Sequence, residues 1–152
     1  MIATTAASSK PALSAEQAYQ QALQVTLQLA VRHHQDDQLQ EAGQLYRSIL
    51  QGEPDHPEAN HNLGILMLEM AQPAEGLAHL EAALAARPES QRYWLSYLYA
   101  LVHSGQTELA RERLAFAREH GLEGAAAQAL AVTLEADGRA PSHCGVDEVS
   151  SA

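Results

Sequence analysis

The stretch "EAGQLYRSILQGEPDHPEANHNLG", residues 41–64, decides the fold. It holds no charge cluster, no glycine-rich loop and no nucleophile with a base beside it. What it holds is a register: shifted by 34 residues, and by 34 again, it falls on two later stretches of the chain. Ala42, Gly76 and Ala110 coincide, as do Tyr46, Leu80 and Leu114, then Ile49, Ala83 and Ala117, and upstream Leu29, Leu63 and Tyr97. Pro54 and Pro88 coincide as well, with Leu122 in the third place.

Each unit follows one physical logic. In its first half apolar residues recur at three- and four-residue spacing, as Leu63, Leu66, Met67 and Met70 do, which sets them on one helical face. A break at "AQP" or "SGQT" leads into a second helix. That helix carries alanine or glycine where two backbones must approach closely, and a larger residue four positions on fills the space beside it. Proline then closes the unit, since it cannot continue a helix interior and suits the first turn of the next helix.

These residues resemble the tetratricopeptide repeat family, whose 34-residue helix-turn-helix units carry a pattern of this kind. Residues 23–56, 57–90 and 91–124 read as three units. The second shows Leu63-Gly64, Ala83-Leu84 and Pro88; the third shows Trp94, Gly105, Ala110 and Ala117; the first shows Ala42, Tyr46 and Pro54. Three departures stand out: Thr26 replaces a bulky aromatic, Pro73 stands early in a second helix, and Leu98 fills a small-residue position. The resemblance implies an all-α fold, a right-handed superhelix of antiparallel helix pairs.

Composition agrees. Alanine, leucine, glutamine and glutamate dominate, phenylalanine occurs once, and β-branched residues are sparse, which favours helix. A net charge of −10, with Lys10 the sole lysine, repels phosphate backbones, so no nucleic-acid partner is expected. The single Cys144 excludes an internal disulfide framework, and no run is long and apolar enough to span a bilayer. A soluble cytoplasmic protein with no membrane partner is the expectation. Ser14 and Gln17 form a capping box, placing the first helix from Ala15 to about His34, with extra turns at Tyr19, Ala22 and Leu23 to cover the open end of the stack. Residues 125–137 form a capping helix with Leu130 and Leu134 on one face and Gly138 as its stop. The repeat domain is therefore expected over 14–138, with disordered ends at 1–13 and 139–152.

The search for chemistry yields no catalytic site, cofactor or metal centre. His33 with His34, and His56 with His61, lack the i, i+4 spacing of a zinc helix, and the carboxylates scatter over helix surfaces. The function is therefore expected to be binding. By the family's geometry the first helix of each pair lines the concave side, which places Leu27, Val31 and His34, then His61, Asn62 and Ile65, then Arg92, Leu95, Tyr99 and His103 in a groove. Relatives that clamp a terminal carboxylate hold basic residues where this chain has Leu27, Val31, His61, Ile65 and Leu95, so a carboxylate clamp is not expected. The apolar strip of Leu27, Val31, Ile65, Leu95 and Tyr99 points instead to a protein or peptide partner, and to an interaction scaffold. An alternative reading is a substrate-presenting segment, or a partner, of a glycosyltransferase, because "LYRSILQGEPDHPEANHNLG" is similar to the repeats that precede such catalytic domains in bacteria. Self-association through the long first helix is a third.

Overall fold

The structure is a computed structural model that describes residues 12–137. The expectations of disorder at the two chain ends, of a stop at Gly138 and of a polar tail around Cys144 lie outside the described residues, apart from Ala12 and Leu13. Seven helices follow one another: α1 (Ala15–Gln35), α2 (Leu39–Gly52), α3 (Pro57–Glu69), α4 (Pro73–Ala86), α5 (Gln91–His103), α6 (Thr107–Glu119) and α7 (Ala125–Asp137). Each packs on the next, and α1, α3, α5 and α7 also touch in succession, whereas α2, α4 and α6 do not touch one another. The first helices of the pairs thus share one side of a curved stack.

The repeat is visible in the turns. Asp37 (φ 61°), Ala71 (φ 59°) and Gly105 (φ 75°) lie 34 residues apart, and each takes the left-handed conformation that reverses the chain inside a pair. The amide after each one donates back to the ending helix, Gln38 to the His33 carbonyl, Gln72 to Met67 and Gln106 to Leu101, at 2.8, 2.8 and 2.9 Å. This is a Schellman closure, which uses carbonyls that the helix end leaves free.

The corners between pairs follow a second rule. Asn60 Nδ2 donates to the Pro54 carbonyl and Trp94 Nε1 to the Pro88 carbonyl, each at 2.8 Å, so one register position ties each first helix to the proline corner before it. Thr26 occupies that register in α1 and donates to Ala22 of its own helix at 2.8 Å. Asn60 is buried, and its Oδ1 accepts from His79 Nδ1 at 2.9 Å, so it also fastens α3 to α4. Where Leu122 replaces proline, the corner is built differently: Gly121 (φ 96°) ends α6 and the Leu122 amide donates to Ala117 at 2.8 Å. Pro73 is accommodated as the first residue of α4, where no amide is needed.

Two buried clusters hold the stack. One joins Leu27, Ala30, Ala42, Tyr46, Ile49, Leu63, Leu66 and Met67; the other runs from Leu77 and Leu80 through Leu98 and Leu101 to Leu130 and Leu134. Between them α3 and α4 come into backbone contact at Gly64 and Gly76. A Cβ at Gly64 would lie 2.8 Å from Leu80 Cγ and 3.0 Å from the Gly76 carbonyl oxygen, and one at Gly76 would lie 2.9 Å from the Gly64 carbonyl oxygen.

The ends of the stack differ from its middle. Ser14 and Gln17 form the reciprocal capping box at the start of α1. The added turns lean on the end of α2, with Tyr19 Oη against Gly52 and Gln20 Nε2 donating to Glu53 at 3.1 Å, while Ala22 faces outward. Leu29 is 43% exposed although Leu63 and Tyr97, at the same register, are buried, because no described helix precedes α1 to cover it.

Candidate functional site

Helical spacing sends positions 31, 65 and 99 to the inner side of α1, α3 and α5, and the junction between successive first helices leaves a hollow there. Two hollows result, in the same repeat register. The first, about 390 Å³, is lined by Val31, His34, Gln35, Tyr46, Glu58, Asn62, Glu69 and Arg92. The second, about 650 Å³, is lined by Ile65, Leu68, Glu69, Ala71, Pro73, Ser96, Tyr99, Ala100, His103 and Ser104. Glu69 is their common wall.

The first hollow is polar. His34 Nε2 meets Glu69 Oε2 at 2.6 Å, which links the ends of α1 and α3 across the groove. Arg92 Nη2 donates to His61 Nδ1 at 3.3 Å and to Asn62 Oδ1 at 3.4 Å, linking α5 to α3. His61 is buried, its Nε2 donates to Ser96 Oγ at 2.8 Å, and its ring stacks on Tyr93 with centroids 4.7 Å apart. Burial lowers the pKa of His61, which matches a neutral ring that accepts at Nδ1 from a guanidinium. Tyr46, from α2, reaches the hollow from below; burial pushes its phenol up to about 12, so the hydroxyl stays protonated.

The second hollow is apolar. Ile65 and Leu68 come from α3, Ala71 and Pro73 from the turn into α4, and Tyr99 and Ala100 from α5. Tyr99 is 41% exposed, so a large aromatic face stays open to solvent at the mouth. Ser104 Oγ is bonded to the Ala100 carbonyl at 2.7 Å and His103 Nδ1 to the Tyr99 carbonyl at 2.8 Å, which uses polar capacity at the rim.

Of the residues expected in the groove, Val31, His34, Asn62 and Arg92 gather in the first hollow and Ile65, Tyr99 and His103 in the second. Leu27 lies in a separate recess with Gln24, Glu58 and Tyr93, and is itself only 9% exposed. His61 lies beneath the surface as described, and Leu95 is half-buried against the second core cluster, lining neither hollow. Tyr46 and Leu68 are among the lining residues that were not expected from the sequence. The repeat register could have found both: Tyr46 is the hydroxyl-bearing member of a set completed by Leu80 and Leu114, and Leu68 is the counterpart of His34.

Among the described residues no group of three or more histidine, cysteine, aspartate or glutamate side chains could hold a metal ion. No described helix is long and apolar enough to cross a membrane.

Residues 33–96 match the family Tetratricopeptide repeat. The TPR domain of Sgt2 from Aspergillus fumigatus superposes with a TM-score of 0.70 at 15% identity, over 86% of this chain and 90% of that one. The first TPR of Spaghetti (RPAP3), solved bound to an HSP90 peptide, superposes with a TM-score of 0.69 at 14% identity, over 77% of this chain and 93% of that one. At such identities the likeness is one of fold alone. An O-GlcNAc transferase from Thermobaculum terrenum superposes with a TM-score of 0.59 at 28% identity, over 64% of this chain; the match spans only 19% of the transferase. No curated protein matches the sequence. With three helix pairs in 34-residue register and a closing helix, the chain has the tetratricopeptide-repeat fold, and the family match runs from the end of α1 into α5.

Proposed function

We propose that this chain is a non-catalytic interaction module that takes a peptide segment of another protein along its concave side, over Val31, Asn62, Ile65, Arg92 and Tyr99. The observation that carries the reading is the open apolar hollow at Ile65, Leu68 and Tyr99, since exposed apolar area of this kind marks partner sites. An apolar side chain of the partner fills the hollow, while Asn62 and Arg92 hold backbone or polar groups beside it. The peptide-bound relative supports the mode of use, but not its chemistry: basic residues are absent at the positions where a carboxylate clamp needs them. The test is a display of random peptides selected on the purified protein. Tyr99→Glu with Ile65→Glu should remove selection while leaving the circular dichroism melt unchanged; unchanged selection would sink the reading.

A second reading rests on the transferase likeness at 28% identity. Under it the chain presents a protein substrate to a transferase carried on the same or a separate polypeptide. Co-purification with a transferase, and loss of that enzyme's protein glycosylation on deletion of the chain, would distinguish it from a stand-alone adaptor.

A further inference from the structure

The hollow between α1 and α3 contains a group that nothing within the protein explains. Tyr46 is fully buried and, among the described residues, its Oη meets no partner at hydrogen-bond geometry, although the Asn62 side chain stands close enough to offset part of the upward push on its phenol. Buried hydroxyls are almost always paired, because an unpaired one loses water and gains nothing in return. Replacing Tyr46 with the leucine found at the same register in Leu80 and Leu114 would remove that cost, yet the hydroxyl is present and borders an open hollow.

We propose that the hollow over Tyr46 receives a basic side chain, lysine or arginine, of the peptide that the groove takes. This rests on the groove reading above and adds the chemistry of one position. Glu58 and Glu69 both line the hollow, and both lie close enough to Tyr46 to add to the upward push on its phenol. Glu69 meets only the His34 ring, and Glu58 has no ion pair among the described residues. The one permanent cation in the lining, Arg92, is turned to His61 and Asn62. An ammonium or guanidinium would find two carboxylates in the lining and, beneath them, the covered phenol oxygen that no described residue pairs, with Val31 beside its aliphatic stem. An acidic side chain would meet two like charges instead. The net charge of −10 acts in the same direction at longer range, drawing cationic partners toward the groove.

The adjoining apolar hollow shares Glu69, so the partner is expected to carry a basic residue close to an apolar one.

The experiment uses four fluorescein-labelled decapeptide mixtures, apolar and neutral at their random positions and fixed centrally as Lys, Arg, Gln or Glu. Binding is read by fluorescence polarisation. The Lys or Arg mixture should bind about tenfold tighter than Gln, and Glu weaker than Gln, with the gap shrinking at high salt. Tyr46→Phe and Glu58→Gln should each close most of the gap between the Lys or Arg mixture and the Gln mixture. Tyr46→Phe should also raise the melting temperature of the free protein by a few degrees, which loss of a satisfied hydroxyl would not do. Equal binding of the Lys, Arg and Gln mixtures overturns this inference alone, as does a gap that survives in both folded variants. Failure of all four mixtures to bind overturns the groove reading and this inference together.

Discussion

The two hollows of the groove occupy the same place in successive repeats and differ in nearly every side chain that lines them. Val31 becomes Ile65, His34 becomes Leu68 and Asn62 becomes Ser96, while Tyr46, on the floor of the first, has as its counterpart Leu80, which does not line the second. The backbone that supports them is nearly invariant: the same left-handed turn at Asp37 and Ala71, the same Schellman closure, and the same proline corner at Pro54 and Pro88. A solenoid repeat thus separates the two demands on its sequence. Positions that set helix crossing keep their character, and positions on the inner side are free to vary because their side chains meet solvent or a partner rather than the next helix. One hollow becomes a charged recess and its neighbour an apolar one with no change in the fold.

The strongest way to break the comparison is to move the wall that the hollows share. Gly64→Ala forces a Cβ onto Leu80 and the Gly76 carbonyl, and should destabilise the protein by about 2 kcal/mol in urea unfolding while weakening peptide binding at both hollows. Gly43→Ala is the control. There a Cβ would meet only ordinary contacts, at 3.4 Å from Arg47 and 3.7 Å from Leu66, so the usual preference for alanine should stabilise by about 0.5–1 kcal/mol. Opposite signs for the same change would locate the close approach in the second unit.

A smaller effect tests the turn beside the apolar hollow. Ala71 sits at φ 59°, a conformation that hinders any residue with a Cβ, so Ala71→Gly should stabilise by about 1 kcal/mol, and Gly105→Ala, at the same register, should destabilise by a similar amount. Equal melting temperatures for wild type and both variants would refute the strain assigned to this position.

The smallest effect is a pH dependence. Burial lowers the pKa of both His61 and His79 below 6.5, so below that value the unfolded chain binds protons that the folded chain refuses. Stability is therefore full above pH 6.5 and falls as the pH drops toward the folded-state values. His79→Gln, which keeps an amide donor for Asn60, should flatten the melting temperature between pH 7 and pH 5, and an unchanged slope in a double variant with His61→Gln would exclude these rings as the cause.

How much of this was legible in the sequence depends on the kind of contact. The pairing of helices, the capping box at Ser14 and the small residues at the crossings follow from local spacing and are repeated, so each copy corroborates the others. The inner side of each first helix was expected from the family's geometry, and seven of the ten residues named there line one of the two hollows. Depth was not legible. Leu27 and His61 share a register with Leu95, yet His61 is buried beneath Tyr93 and Ser96 while Leu95 is only half-buried, a difference set by neighbours 30 or more residues away. Leu29, in step with two buried residues, is exposed because nothing described packs before it.

The sequence by itself determined the repeat length and the order of helices, since these depend on spacing along one chain. Only the tertiary structure decided that the inner side is divided into a polar and an apolar hollow, that Glu69 divides them, and that the Tyr46 hydroxyl lies below the first with no partner at hydrogen-bond geometry among the described residues. Those features arise where α1, α2, α3 and α5 converge, and what a side chain can bond to there is set by what the packing brings within 3 Å of it.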